Sequence, residues 1–598
     1  MCRLKCEENN FGCKRSDNGN ETILHFLKAL RGRYGIILVF LASYFLLLTS
    51  HLLFAGGKVC WTPNGVLLNN FNAGVRSPID DMKGGAIVLS ASSPNPTVYF
   101  IHAIRVDRNG NLPWGVNGKK VDSSNVYQTL PAGVSDGKGG AILVWQRGMD
   151  PWSWLCYQRI DSVGNKVWGD TARWIALSDS QINPAIVSDG AGGAIVVWQQ
   201  RRGVQGSDIY AQRIDSSGVR RWGDYGVAVC TADSSQAYPA ITCDSSGNSV
   251  IVWWDARDGE TDIYGQRLDI SGIPFWGNNG IAICDNDSMQ SNAGYGSIVV
   301  MATDTTIITV WHDMRNGNGD IYTQCLNVNG MPIWPIQGIP VCDTIGTKGG
   351  GQVISDGRGG AIFCWIDRRN GYWNLFAQRL NSNGQKLWAN QGVPITTTDS
   401  AYWYQRIVSD GKSGAIICWQ DKRSGNWDIY AQHIDSLGNI LWEVNGMPVC
   451  TANNSQQYPE MIASDSGTAI ICWADYRSGQ VRGYAQKVGD DLVGTAETRG
   501  HGDRETERPV MVVYPNPFSD RVNIRYTIQD SRYKMLRIYD VSGRLIKSFN
   551  PVSGIGHYES ELCWDGRDES NHELPSGIYF CELEVGGQRL TKKMILLR

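Results

Sequence analysis

From residue 58 to 488 the chain alternates short apolar runs with polar turns, and the alternation returns about every fifty residues. The clearest copy is PAIVSDGAGGAIVVWQQRRGVQGSDIYAQRIDSSGVRRWGDYGVAVC, residues 184–230. It contains four segments rich in β-branched and aromatic residues, each bounded by turn residues, and predicts four short strands. Ser-Asp-Gly-x-Gly-Gly joins the first two as a tight hairpin, with glycine supplying the positive φ. Asp-Ser-x-Gly joins the last two. Four antiparallel strands repeated around an axis make a propeller blade.

Two markers count the copies. The tryptophan before the fourth segment recurs at Trp61, Trp114, Trp168, Trp222, Trp276, Trp334, Trp388 and Trp442, eight times. The second strand recurs at Ala86, Ala141, Ala194, Val250, Ile307, Ala361, Ala415 and Ala469, also eight. The array opens with a lone fourth strand, Trp61 to Leu67, and ends after a third strand near Val488. Pairing the two would complete the last blade and hide both sheet edges. The expected fold is therefore all-β: an eight-bladed β-propeller over 58–488, closed by strand 61–67.

The flanks differ from the repeat. Residues 1–57 are a polar leader followed by the apolar run Ile36 to Phe54, with small residues at Ala55 to Gly57. This predicts an export signal cut after Ala55, or a membrane anchor if the run is retained. Residues 489–508 carry almost no large apolar side chain and predict a flexible linker. A second domain, 509–598, holds alternating strands such as Val522 to Tyr526.

A net charge of -3 over 598 residues gives no electrostatic case for nucleic acid. The 16 cysteines resemble a disulfide framework until their positions are compared. Cys364, Cys418 and Cys472 occupy the repeat position held by Val144, Val197 and Val252 in other copies, so cysteine substitutes there for a small core hydrophobe. Cys563 and Cys581, alone in the last domain, are the expected bonded pair.

Four resemblances follow from these phrases. Ala211-Gln-Arg-Ile-Asp-Ser-Ser-Gly218, followed by Trp222, resembles the tryptophan-docking motif of eight-bladed quinoprotein-type propellers. The Ser-Asp-Gly-x-Gly-Gly hairpin is loosely similar to the Asp-box of sialidase-like propellers but lacks its full pattern. Tyr514-Pro-Asn-Pro-Phe518, Leu536 to Arg544, Trp564-Asp-Gly-Arg-Asp568, Ser576-Gly-Ile-Tyr-Phe580 and Lys592 to Arg598 resemble the carboxy-terminal sorting domain of type IX secretion cargo. They also resemble the immunoglobulin-like domain of flagellar hook-capping proteins. The resemblance implies a β-sandwich at 509–598 that partners the secretion machinery and delivers the chain to the cell surface or the medium.

Chemistry is sparse. The eight histidines show no His-Glu-x-x-His, and no Cys-x-x-Cys or phosphate loop is present. No catalytic residue, metal ligand or cofactor is assigned, and the vicinal cysteines of quinone-dependent dehydrogenases are missing. Asp136, Asp189, Asp356 and Asp410 share one hairpin position and are expected to be turn formers. The pairs Asp255/Arg257, Asp313/Arg315, Asp367/Arg369, Asp421/Arg423 and Asp475/Arg477 are expected to brace their own loops. The asymmetry lies in the second-to-third and fourth-to-first connections, which share one face. There Tyr372, Trp373, Tyr402, Trp403, Tyr404 and Trp427 gather in neighbouring blades as candidate ligand-binding residues, with Trp152 and Trp154 on another blade. Such rings suit sugars or protein hot spots, and equally suit packing between loops. The expected function is a surface or secreted binding module for glycan or protein. A secreted carbohydrate-active hydrolase or lyase and an architectural envelope protein are the alternatives.

Overall fold

The computed structural model describes residues 56–490 and 510–598, apart from 96–97, 123, 125, 150–151, 179, 203–205, 293–298, 318, 399–401, 515–520, 529–533, 550–557 and 586–587. The export segment and most of the expected linker lie outside the described residues. The described residues are all-β. Over 57–490 the strands form eight successive antiparallel sheets, termed blades: 75–120, 128–174, 181–230, 236–284, 290–340, 348–394, 402–450, and 456–490 joined by the amino-terminal segment. The first strands of blades 1 to 8 touch in sequence, and the first strand of blade 8 touches that of blade 1. They therefore form the inner wall of a ring, the arrangement of a propeller.

The seam lies in blade 8. Gly57–Val59 pairs antiparallel with Val488 to Asp490, and Val66–Leu67 with Ala485 and Tyr484. Between these short strands, the Trp61 backbone N–H donates to Gln486 Oε1 at 2.9 Å, and Gln486 Nε2 donates to the Thr62 carbonyl at 2.8 Å. Blade 3 makes the same two bonds within itself, from Trp222 to Gln212 and from Gln212 to Gly223. Residues 57–67 thus occupy the place of a fourth strand, pairing at Gly57–Val59 and Val66–Leu67 rather than continuously over the expected 61–67. The blade also reaches further than the sequence suggested: Gly489 and Asp490 belong to it, because they pair with Lys58 and Gly57.

Two repeated contacts hold blade to blade. Each docking tryptophan but Trp442 lies against the third-to-fourth turn of the next blade, and Trp442 lies against Gly57 and Asp490 at the seam. Trp168 fills the space a Cβ at Gly218 would need, 2.6 Å from its ring, and Gly218 has φ +82°, so only glycine serves there. Trp222, Trp276, Trp334 and Trp388 donate Nε1–H to carbonyls of that turn, at 2.9–3.2 Å. The hairpin aspartate is the second contact. Asp189 Oδ1 accepts from the Ala191 and Gly193 N–H groups, the turn-forming role expected of it. Its Oδ2 accepts from Arg213, whose other arm reaches the Ile270 carbonyl of the next blade. Asp81/Arg105, Asp136/Arg159 and Asp356/Arg379 repeat this clasp.

The Asp-x-Arg pairs brace their own blades. Asp255 accepts from Trp253 Nε1 at 2.8 Å and from Arg257 Nε at 2.9 Å, while the guanidinium lies 4.0 Å from the Tyr264 ring centroid. The other four pairs repeat it. Cys364, Cys418 and Cys472 are buried, and burial pushes their thiols up from the ordinary value.

Residues 510–598 form a separate unit of two sheets, one of three strands and one of four. Val522, Ile524, Leu536, Ile538, Trp564 and Leu583 contribute to one core, giving a β-sandwich. The expected Cys563–Cys581 bond is not formed. Cys563 is exposed on the three-stranded sheet, whereas Cys581 belongs to the core from the four-stranded one.

Candidate functional site

In every blade but the fifth, whose corresponding residues 293–298 lie outside the described residues, the inner strand is interrupted by a bulge. In blade 8, Gln457 pairs with Ala474 and Glu460 with Cys472, leaving Tyr458 in the irregular step with φ 57°. The same step places Leu130, Asn183, Tyr238, Gly350 and Tyr404 at φ 49–65° in blades 2, 3, 4, 6 and 7. Blade 1 has the same step two residues nearer the hairpin, at Ser77, φ 47°. A left-handed conformation costs a bulky residue about 1 kcal/mol or more, and a bulge re-aims the side chain. Here the backbone is held from the neighbouring blade: Gln420 Oε1 accepts from the Tyr458 N–H at 2.8 Å. The backbone repeats while the side chain varies from blade to blade. Because Gln456 pairs with Asp475, where the second strand ends, these residues share one mouth of the ring with the second-to-third loops.

Of the expected aromatic residues, Tyr372 is 52% exposed at that mouth. Trp373 is half-buried and packs against the core between blades 6 and 7. Tyr404 is half-buried, with its ring edge-on to Tyr458 at 4.9 Å. Trp427 is half-buried, with Lys422 Nζ 5.9 Å from its ring. Tyr402 and Trp403 open the first strand of blade 7, paired with Asp421 and Gln420, and their side chains lie outside the described residues. On blade 2, Trp152 is exposed and Trp154 meets Trp174 edge-on at 5.7 Å.

Two depressions adjoin this mouth, and the sequence did not foretell either. One, of about 280 Å³, lies where blades 8, 1 and 2 meet, lined by Arg76, Thr129, Leu130, Tyr458 and Tyr476 among others. The second, of about 500 Å³ and more open, is lined by Asn426, Asn454, Ser455, Gln457, Tyr476 and Gly479. Tyr476 borders both. Burial, with neighbouring Tyr458 adding to it, raises its phenol above the usual value.

Below the bulge the inner wall is asymmetric. Blades 2, 3 and 4 carry Ala132, Ala185 and Ala240, paired with Val144, Val197 and Val252. Blades 6, 7 and 8 carry Gln352, Arg406 and Glu460, paired with Cys364, Cys418 and Cys472. Arg406 grips Glu460 with two bonds of 2.8 Å. A second polar knot lies at the seam between blades 7 and 8. His433 replaces the clasping arginine and meets Asp410 at 3.1 Å and Asp490 at 2.7 Å. Burial opposes its charge, but bonds to Asp410 and then Asp490 prevail and raise its pKa to about 9. A sequence signal for the inner-wall residues existed: an alanine column breaks to Gln, Arg and Glu in successive copies.

Comparison with known proteins settles delivery and leaves the ligand open. Residues 512–597 match the family described as Secretion system C-terminal sorting domain. The chain is exported. Its carboxy-terminal domain marks it as type IX secretion cargo, delivered to the cell surface or released. No curated protein matches the chain. Among solved structures, a fungal alcohol oxidase in complex with copper aligns at 12% identity over 77% of this chain and 95% of that one, TM-score 0.37. A polysaccharide lyase aligns at 8% identity over 71% and 91%, TM-score 0.37. An endo-arabinase from Bacteroides thetaiotaomicron aligns at 11% over 53% and 95%, TM-score 0.23. At such TM-scores none of them carries an inference about this chain.

Proposed function

We propose that the exported protein is a binding module, an eight-bladed propeller that recognises glycan or protein through the mouth bearing the bulge residues. One observation carries this reading: a backbone repeated from blade to blade presents a different side chain at the same re-aimed position, which is how a scaffold acquires specificity. Loops on a rigid frame are where binding is ordinarily placed. Tyrosine walls beside amide-lined depressions favour a glycan, whose rings have apolar faces and whose rims carry hydroxyls. The carbohydrate-active enzyme is the weaker reading, since glycosidase chemistry uses two facing carboxylates and Glu460 is held by Arg406. The β-sandwich at 509–598, immunoglobulin-like in this reading, supplies the address.

The purified chain is to be screened on a glycan array beside Tyr404→Ala/Tyr458→Ala. Each stacked ring contributes on the order of 1 kcal/mol, so the double variant should bind about tenfold or more weakly. Absence of any retained glycan, or identical profiles for the two proteins, would refute the glycan reading.

A further inference from the structure

Arg76 lies at the edge of the 280 Å³ cavity, exposed, and its guanidinium has no hydrogen-bond or ion-pair partner among the described residues. That is unusual in this chain. The clasping arginines and the Asp-x-Arg arginines are each bound to a carboxylate. No other charged residue lines the cavity. Its walls are Tyr458 and Tyr476 on one side and Leu130 and Thr129 on the other, brought together only by ring closure. The combination is a cation with an unspent bidentate face, aromatic walls and a volume near the lower limit for ligand pockets. Beyond Tyr476 lies the wider depression, whose amides from Asn426, Asn454 and Gln457 suit hydroxyl groups.

We infer that this pair of depressions takes an acidic oligosaccharide. One carboxylate-bearing sugar ring sits against Tyr458 and Tyr476 with its carboxylate on Arg76, and the adjoining sugar lies on the amide-lined side. The inference rests on the binding-module reading and names the ligand class for it. A guanidinium matches a carboxylate in two parallel hydrogen bonds, a geometry a neutral sugar cannot reproduce. Selectivity should therefore come from Arg76 and affinity for both kinds of sugar from the tyrosines.

The test is calorimetric titration of the full exported chain with an oligogalacturonide, with its methyl-esterified neutral counterpart, and with an acidic peptide of equal charge. The oligogalacturonide should bind at least tenfold more tightly than the other two. R76Q should bring it down to the neutral level, and Tyr476→Ala should weaken both sugars together. Arg76 is exposed, so R76Q should melt with the parent. Equal binding of acidic and neutral sugars, an unchanged R76Q, or an acidic peptide that binds as well and as dependently on Arg76 would each overturn the inference. If no galacturonide binds while the glycan array still yields neutral ligands, the acidic assignment fails and the binding module stands. An empty array would instead remove the glycan reading on which the inference rests.

Discussion

Blades 2–4 and blades 6–8 share a backbone and differ in what their first strands carry below the bulge. The first arc presents Ala132, Ala185 and Ala240 over valines, and the second Gln352, Arg406 and Glu460 over cysteines. Strand pairing, bulge and docking tryptophan are the same in both. The repeat therefore secures the ring without help from the inner wall, which leaves that wall free to vary. A buried ion pair recovers little net stability, because the attraction mostly offsets the desolvation of both charges. Its retention on one arc points to recognition or pre-organisation beside the bulge residues rather than to strength.

The largest expected effect comes from removing what only the second arc needs. A chain lacking residues 56–67 loses the strand pairing and the docking ring of blade 8 together. Trp222→Ala in blade 3 should cost about 3–5 kcal/mol and leave the ring closed. The truncation should cost more than that in denaturant titrations and expose blades 8 and 1 to limited proteolysis. A truncated chain as stable as Trp222→Ala would show that closure contributes little.

Breaking the inner-wall pair should come next. Glu460→Ala leaves Arg406 without its carboxylate in a largely buried site. The loss should be about 2–4 kcal/mol, toward the low side because Glu460 keeps about a quarter of its side-chain surface in solvent. Joint replacement by Arg406→Leu and Glu460→Met should restore most of it, whereas the matching alanine column has nothing to break. A fully additive double-mutant cycle would deny the coupling.

The seam should also respond to pH where the other clasps do not. The folded pKa of His433, about 9, lies above its ordinary 6.5. Its stabilisation is therefore complete below about pH 6.5 and is lost as pH rises through about 9. The amount is on the order of 3 kcal/mol. His433→Arg would install the clasp of blade 3 and, because a guanidinium keeps its charge throughout this range, should flatten the curve between pH 6.5 and 9. A native profile already flat there would contradict the doubly bonded imidazolium.

Much of this fold was legible because a repeat tests itself. Asp189 and Trp222 each recur at one position, and a residue needed in every copy is needed by the backbone. What the sequence concealed were contacts made between blades. Arg406 and Glu460 are 54 residues apart and meet only because neighbouring first strands line one wall. Arg76 and Tyr476 lie 400 positions apart and share a cavity only once the ring closes. The candidate patch was legible in part, since loop aromatics can be counted but their packing cannot. Trp373 is taken up by the core and Tyr404 by Tyr458, while Tyr372 stays in solvent. Cys563 and Cys581 misled for the same reason: sharing a domain says nothing about sharing a sheet.

The central claim is that one uniform scaffold carries recognition where blade 8 meets its neighbours and not at every blade, and equivalent bulge positions test it most directly. Tyr238 and Tyr458 have φ 52° and 57°, are 49% and 41% exposed, and belong to blades 4 and 8. Affinity for any glycan retained by the intact chain is to be measured for Tyr238→Ala and Tyr458→Ala in parallel. The account predicts that Tyr458→Ala weakens binding about fivefold to tenfold, the loss of one aromatic contact, while Tyr238→Ala binds like the parent. Equal losses in both variants, or a loss confined to Tyr238→Ala, would contradict it.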